Sequence, residues 1–197
     1  MDVEVPEYDI QSSLSVSANE SILLIVDMQN DFAHESGALY NPDAEESIPV
    51  IQDLVEQARR HSIPVWYTKD THTHDDPEFK IWGEHCVKDT EGWNIVGELQ
   101  PELADRVFEK SRYDGFYGTE LDHQLTIQDK DTLVIVGTVA NICVHYTAAS
   151  AGLRYYNVIH PVEALSALTE FDYHSALRQS TFLFQADLVS ADGLTYQ

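Results

Sequence analysis

Cys143 stands in the stretch TVANIC (138–143), just past an apolar run that ends at Gly137 and where a helix is expected to begin. Amide groups and the macrodipole at a helix N-terminus favour a thiolate and lower a thiol pKa. A buried, inert cysteine is the competing reading, but a strand-to-helix turn at a binding edge favours a nucleophile. A nucleophilic thiol needs a base. Asp27, flanked by Val26 and Met28 at the end of another apolar run, is expected to have its pKa raised by burial. It could then take the thiol proton and later return it to a leaving group. Lys110, closing the run RVFEK (106–110), would hold Asp27 ionised and steady developing oxyanion charge. Singly, Asp27 reads as a turn cap and Lys110 as a solvated strand end; together with Cys143 they read as nucleophilic catalysis.

A second group lies in DTHTHDDPEFKIWGEHC (70–86). Asp70 and His72 alternate in extended chain, so both can point one way toward one ion, and Glu78 and His85 can add ligands from the same loop. Two imidazoles with two carboxylates suit a divalent transition ion, zinc first, with iron or manganese as alternatives. An acidic loop without an ion is the bland reading. His74 is an alternative donor, whereas His34, His61, His123, His145, His160 and His174 read as surface or satisfied core histidines. Cys86, in a loop with no helix terminus, reads as unreactive.

These residues need a scaffold that gathers them. ILLIV (22–26), PVWYT (64–68), RVFEK (106–110), LVIVG (133–137), VIH (158–160) and ADLVS (186–190) are short, continuous apolar runs typical of strands covered on both faces. Between them helices are expected over about 48–58, with Ser47 as N-cap and Pro49 in the first turn, then over 119–127 capped by Thr119, over 141–155, and over 172–184. The segment 69–99 is polar and aromatic without clear periodicity. Alternating strands and helices predict a single-domain, three-layer α/β/α sandwich with a mainly parallel sheet of about six strands. Residues 1–20 are expected to form an N-terminal arm and 21–197 the domain. Ligands of such sheets bind outside the carboxyl ends of the strands. Asp27, Asp70, Lys110 and Cys143 all fall at that edge.

Composition narrows the partners. Over 197 residues, 34 acidic against 11 basic side chains give a formal charge of −23. Nucleic acid and anionic membrane surfaces are excluded as partners, because both need clustered lysine and arginine. No apolar run is long enough for a membrane span, and the acidic start MDVEVPEYDI lacks the basic region of a signal peptide. A cytoplasmic protein is expected. The acidic excess fits either adaptation to concentrated salt or an ordinary acidic enzyme.

Taken in order, VDMQNDF (26–32), DTH (70–72), IWGEHCV (81–87), EKSRYDGFYGTEL (109–121) and GTVANICV (137–144) resemble the nicotinamidase/isochorismatase superfamily of cysteine hydrolases, over nearly the whole chain from about 21 to 191. The resemblance implies Asp27, Lys110 and Cys143 as a catalytic triad. It also implies a cis peptide between Thr138 and Val139, with the amides of Val139 and Cys143 as the oxyanion hole. Asp70, His72, Glu78 and His85 look like the metal set of the nicotinamidase branch, and Phe32, Trp82 and Tyr113 like the walls of its substrate pocket. The activity implied is metal-dependent hydrolysis of nicotinamide to nicotinate and ammonia through a cysteine thioester, within NAD salvage, in a homo-oligomer (dimer or tetramer). The stretch reads WGEH (82–85) where the family more often has WPxH, and TVANIC departs from the usual nicotinamidase turn. A related hydrolase acting on an N-carbamoyl amide, a ureide or isochorismate is therefore the alternative, followed by a non-catalytic metal-binding protein.

Overall fold

The computed structural model describes residues 6–197. Its centre is a six-stranded sheet in the order β4-β3-β2-β5-β6-β7, every neighbouring pair parallel. The strands are β2 (Ser21–Val26), β3 (Val65–Asp70), β4 (Arg106–Lys110), β5 (Thr132–Gly137), β6 (Asn157–Pro161) and β7 (Asp187–Val189). β2, β3 and β5 are buried along their whole length, which is why Ile22–Val26, Val65–Tyr67 and Leu133–Val136 read as continuous apolar runs rather than alternating. Leu23 and Ile25 of β2 face helix α2 (Pro42–Arg60) through Ile51 and Leu54. Ile22, Leu24 and Val26 face the opposite layer, built from α4 (Leu121–Ile127), α5 (Cys143–Leu153) and α6 (Glu170–Phe184). Two short helices, α1 (Asn30–Ala33) and α3 (Phe79–Trp82), lie in the loops above the strand ends.

One cap differs from its expected place. Helix α2 starts five residues before Ser47: Asn41 is the N-cap, its side chain accepting from Asp43 N–H at 3.2 Å, and Pro42 occupies the first helical position. Ser47 is buried inside the helix and donates its hydroxyl to the Ala44 carbonyl. Pro49 is likewise interior but exposed, so the carbonyl it leaves unbonded one turn earlier faces water. Thr119 Oγ1 accepts from Leu121 N–H at 3.2 Å, while the cap position itself falls on Glu120.

The first described residues join the body at two places. β1 (Leu14–Val16) pairs in parallel with β8 (Leu194–Tyr196), and Gln11 bridges to Val189 at the open edge of β7. No helix among the described residues is long and apolar enough to cross a membrane.

Parallel register places the strand ends together. Val26 lies opposite Thr68 on one side and Gly137 on the other, and Asp70 lies opposite Lys110. Gly137 is required here: its φ is +112°, and a Cβ would sit 2.2 Å from the Val26 carbonyl oxygen. That close approach lets the chain leaving β5 pass directly beside the chain leaving β2.

Candidate active site

Immediately after β2 the backbone turns at Asp27, whose φ of 51° is uncommon for a residue with a side chain. The turn aims its carboxylate across the strand ends. Thr68 Oγ1 donates to Asp27 Oδ1 at 2.7 Å, and Lys110 Nζ sits 2.7 Å from Asp27 Oδ2. The same ammonium lies 3.7 Å from Cys143 Sγ and 3.1 Å from Asp70 Oδ1. Acid, amine and sulfur thus meet around one nitrogen, and Asp27, Lys110 and Cys143 are all buried. Both neighbours of the sulfur come from β-strand ends, while Cys143 itself is the first residue of α5.

Burial governs the protonation of this group. It pushes the Asp27 carboxyl up despite the pull of Lys110. It pulls the Lys110 ammonium down, but Asp27 and Asp70 outweigh it and leave the amine firmly charged. The Cys143 thiol differs from its expectation. Burial, with Asp27 and Asp70 close by, holds its pKa well above the usual thiol value, and Lys110 only partly opposes this. Desolvation and the two carboxylates thus work against ionisation of the sulfur, and Lys110 works for it.

The Thr138–Val139 peptide is cis. Among the described residues, neither the Val139 nor the Cys143 N–H has a backbone acceptor, whereas their neighbours Ala140, Ile142 and Val144 all bond to backbone carbonyls. Two donors are therefore free beside the sulfur, as an oxyanion hole requires.

Asp70, His72, Glu78 and His85 each offer a ligand atom, and these atoms lie within 4.8 Å of one another, all four residues buried. His72 Nε2 and His85 Nε2 face Asp70 Oδ2 at 3.0 and 3.5 Å. Each histidine turns its other nitrogen to an acceptor: His72 Nδ1 to Asp76 Oδ2 at 3.0 Å, and His85 Nδ1 to the Gly83 carbonyl at 2.8 Å. This is how ligating imidazoles are held, Nε2 turned toward the cluster and the ring locked through Nδ1. The donor set fits a divalent transition ion of the zinc, iron or manganese kind. His74 is exposed beside Glu84, outside the cluster.

Between the metal set and the sulfur lies a cavity of about 210 Å³. Phe32, Trp82 and Tyr113 line it, joined by Leu39, Tyr40, Ile142 and Leu168. Trp82 Nε1 donates to Tyr113 OH at 2.8 Å, which sets the two walls against each other. Asp70 and Glu78 reach the cavity, and among the described residues no lysine or arginine lines it.

Sequence reasoning passed over four residues. Thr68 steadies Asp27, and Asp76 and Arg112 brace the metal set, Arg112 Nη1 lying 3.1 Å from Asp76 Oδ2. Gln29, fully buried, clamps the backbone of Asp70: its Oε1 accepts from Asp70 N–H at 2.7 Å and its Nε2 donates to Asp70 O at 2.8 Å. Gln29 lies within VDMQNDF, and a polar residue two positions past Asp27 was the available signal. Cys86 is buried, which pushes its thiol far up, and His160 is a core histidine bonded to the Ile135 carbonyl.

A parallel α/β sheet with a buried Asp-Lys-Cys group at its carboxyl edge is the architecture of a cysteine hydrolase. Residues 21–192 match the isochorismatase domain, and the chain belongs to the isochorismatase family and is a hydrolase. It is similar in structure to an N-carbamoylsarcosine amidase from Thermoplasma acidophilum, with 37% identity, a TM-score of 0.81, and 88% of this chain and 97% of that one covered. It is also similar to the pyrazinamidase/nicotinamidase of Streptococcus mutans, with 26% identity, a TM-score of 0.81, and 85% and 99% covered. Nicotinamidase 3 of Arabidopsis thaliana is 28% identical over 180 residues, covering 87% of this chain and 85% of that protein.

Proposed function

We propose that this protein hydrolyses a small, uncharged aromatic carboxamide, nicotinamide foremost, to the carboxylic acid and ammonia. The observation that carries this reading is the chemistry of the cavity. Its walls are aromatic and aliphatic, its polar end holds two carboxylates, and no cation lines it among the described residues. A flat neutral ring suits such a pocket, whereas a substrate bearing its own carboxylate would find no lysine or arginine among the described lining residues to pair with it.

In the reaction proposed, Asp27 takes the proton of the Cys143 thiol, and the sulfur attacks the carboxamide carbon. The oxygen of the tetrahedral intermediate takes up the negative charge and is received by the Val139 and Cys143 amides. Asp27 then delivers its proton to the departing nitrogen, the C–N bond breaks and ammonia leaves a Cys143 thioester. Water attacks the thioester, Asp27 takes the water's proton, and collapse releases the acid and restores the thiol. Lys110 keeps Asp27 ionised at the start of each half-reaction. Asp70, His72, Glu78 and His85 would hold a divalent ion, zinc first, which when bound supplies an anchor for a ring nitrogen. Trp82 and Phe32 would hold the ring faces. Nicotinamide as substrate would place the protein in NAD salvage in the cytoplasm, acting as a homo-oligomer.

The similarity to the N-carbamoylsarcosine amidase supports a second reading, in which the scissile bond belongs to an N-carbamoyl group. Ammonia release from nicotinamide, pyrazinamide, N-carbamoylsarcosine and ureidoacrylate decides between them. The neutral ring amides are expected to give kcat/KM at least tenfold above the anionic substrates; the reverse order would overturn the proposal.

A further inference from the structure

Residues 73–84 cross the mouth of the site with little apolar anchorage. Thr73, His74, Asp75, Pro77, Lys80, Ile81, Gly83 and Glu84 are exposed, and the short helix α3 within the segment buries none of its residues. Yet this same segment delivers Glu78 into a buried cluster with His72. Phe79 packs edge-on against the His72 and His85 rings, at 5.4 and 5.6 Å between centroids, and the turn that carries Glu78 is fixed by polar contacts.

Those contacts converge on Asp76. Its Oδ2 lies 3.0 Å from His72 Nδ1, its Oδ1 accepts from Glu78 N–H at 2.9 Å, and its backbone carbonyl accepts from Phe79 N–H at 3.2 Å. Arg112 Nη1 reaches both carboxylate oxygens, at 3.2 and 3.1 Å, and fixes the carboxylate from the outside. The consequences for the two ligands are separate. An acceptor at Nδ1 fixes the His72 ring with its Nε2 turned toward Asp70 and the cluster. An acceptor at the Glu78 amide closes the turn that points the Glu78 side chain inward.

We infer that Asp76 is a positioning residue for the metal set, one carboxylate that orients His72 and Glu78 together and so governs how tightly the ion is held. The inference rests on the reading of Asp70, His72, Glu78 and His85 as metal ligands. It makes Asp76 matter more than an ordinary outer partner of a single histidine, because two of the four ligands depend on it.

The test is calorimetric titration of chelator-stripped protein with Zn²⁺ and, separately, Mn²⁺, using wild type, Asp76→Ala, Asp76→Asn, His72→Ala and His74→Ala. Asp76→Ala is expected to weaken binding by about 10- to 100-fold. Asp76→Asn is expected to fall between it and wild type, because one amide oxygen cannot serve His72 and Glu78 at once. His74→Ala, altering an exposed neighbour, is expected to bind as wild type does. Circular dichroism of the metal-free proteins should show the fold intact, with at most a small fall in melting temperature, since Asp76 lies in a loop outside the sheet; should Asp76→Ala fold poorly, the Asp76→Asn comparison decides. In turnover, the same variants should raise KM more than they lower kcat. Wild-type affinity in both Asp76 variants, beside a loss in His72→Ala, would overturn the role of Asp76 alone. No uptake of either ion by wild type would overturn the metal reading itself.

Discussion

Asp70 and Lys110 are register partners at the ends of adjacent parallel strands, and Asp70 divides its carboxylate between two sites. Oδ1 lies 3.1 Å from Lys110 Nζ, the amine that joins Asp27 to Cys143, while Oδ2 faces His72 and His85. One side chain therefore touches both the proposed triad and the proposed metal ligands. Burial works against its charge, but Lys110 and the two imidazoles hold the carboxyl far below the usual range.

Asp70→Asn should consequently damage two properties that single-site variants separate. Metal affinity should drop at least about tenfold, because a charged ligand becomes neutral, and kcat should fall as well, because Lys110 loses one of its two anionic partners. His85→Ala, on the side of Asp70 away from Lys110, should lose affinity with a smaller change in kcat. Titration with Zn²⁺ alongside steady-state kinetics reads both. Full turnover in Asp70→Asn would show that the two sites do not share this carboxylate in function.

Cys143→Ala should fold and melt as wild type does while losing turnover by about 10⁴-fold or more, the size expected when one member of an interdependent catalytic group is removed. Ammonia release at substrate saturation measures it. Residual activity within tenfold of wild type would remove the thioester from the proposal.

The acid limb of the rate profile follows from Asp27. Its pKa is raised by burial and only partly restrained by Lys110, and the base must be ionised to take the thiol proton. kcat/KM should therefore fall on acidification with an apparent pKa above the ordinary carboxylate value near 4. Lys110→Met removes the restraint, so the residual activity should show this limb displaced to still higher pH. A limb that stays in place in Lys110→Met would mean that another group sets it.

The difference between what the residue pattern discloses and what it hides is physical. β2, β3 and β5 were legible because a strand buried on both faces must be apolar throughout, and Asp27, Asp70 and Lys110 were legible because each interrupts such a run at its end. The start of α2 was misplaced because Pro42, Asp43, Glu45 and Glu46 are exposed, which left helical periodicity to begin at Ile48. β1 was hidden because three residues carry no period and its partner, β8, lies at the far end of the chain. Gln29 was hidden for another reason: it bonds to the main chain of Asp70 and to the Trp93 carbonyl, and main-chain partners leave no mark on residue identity. The thiol of Cys143 shows the limit of local reasoning, since helix position pointed one way and tertiary burial, larger in effect, the other.

His160 gives a prediction for stability that is independent of the catalytic reading. It is buried in β6, its Nδ1 is 3.1 Å from the Ile135 carbonyl, and burial lowers its pKa from 6.5 to about 4, with His145 lowering it further against the pull of that carbonyl. In the unfolded chain the imidazole gains its proton as pH falls through about 6.5, while in the folded protein it stays neutral until about 4. A folded-state pKa below the unfolded one means that stability is fully present above about 6.5 and is lost progressively down to about 4. The loss attributable to this one residue is on the order of 3 kcal/mol. His160→Gln retains a donor for the Ile135 carbonyl but has no proton to gain. Melting temperatures measured from pH 7.5 to 4.5 should therefore fall less steeply for His160→Gln than for wild type, whatever the offset between them at neutral pH. Parallel curves would mean that His160 is protonated in the folded core, and that the acid sensitivity of the protein arises elsewhere.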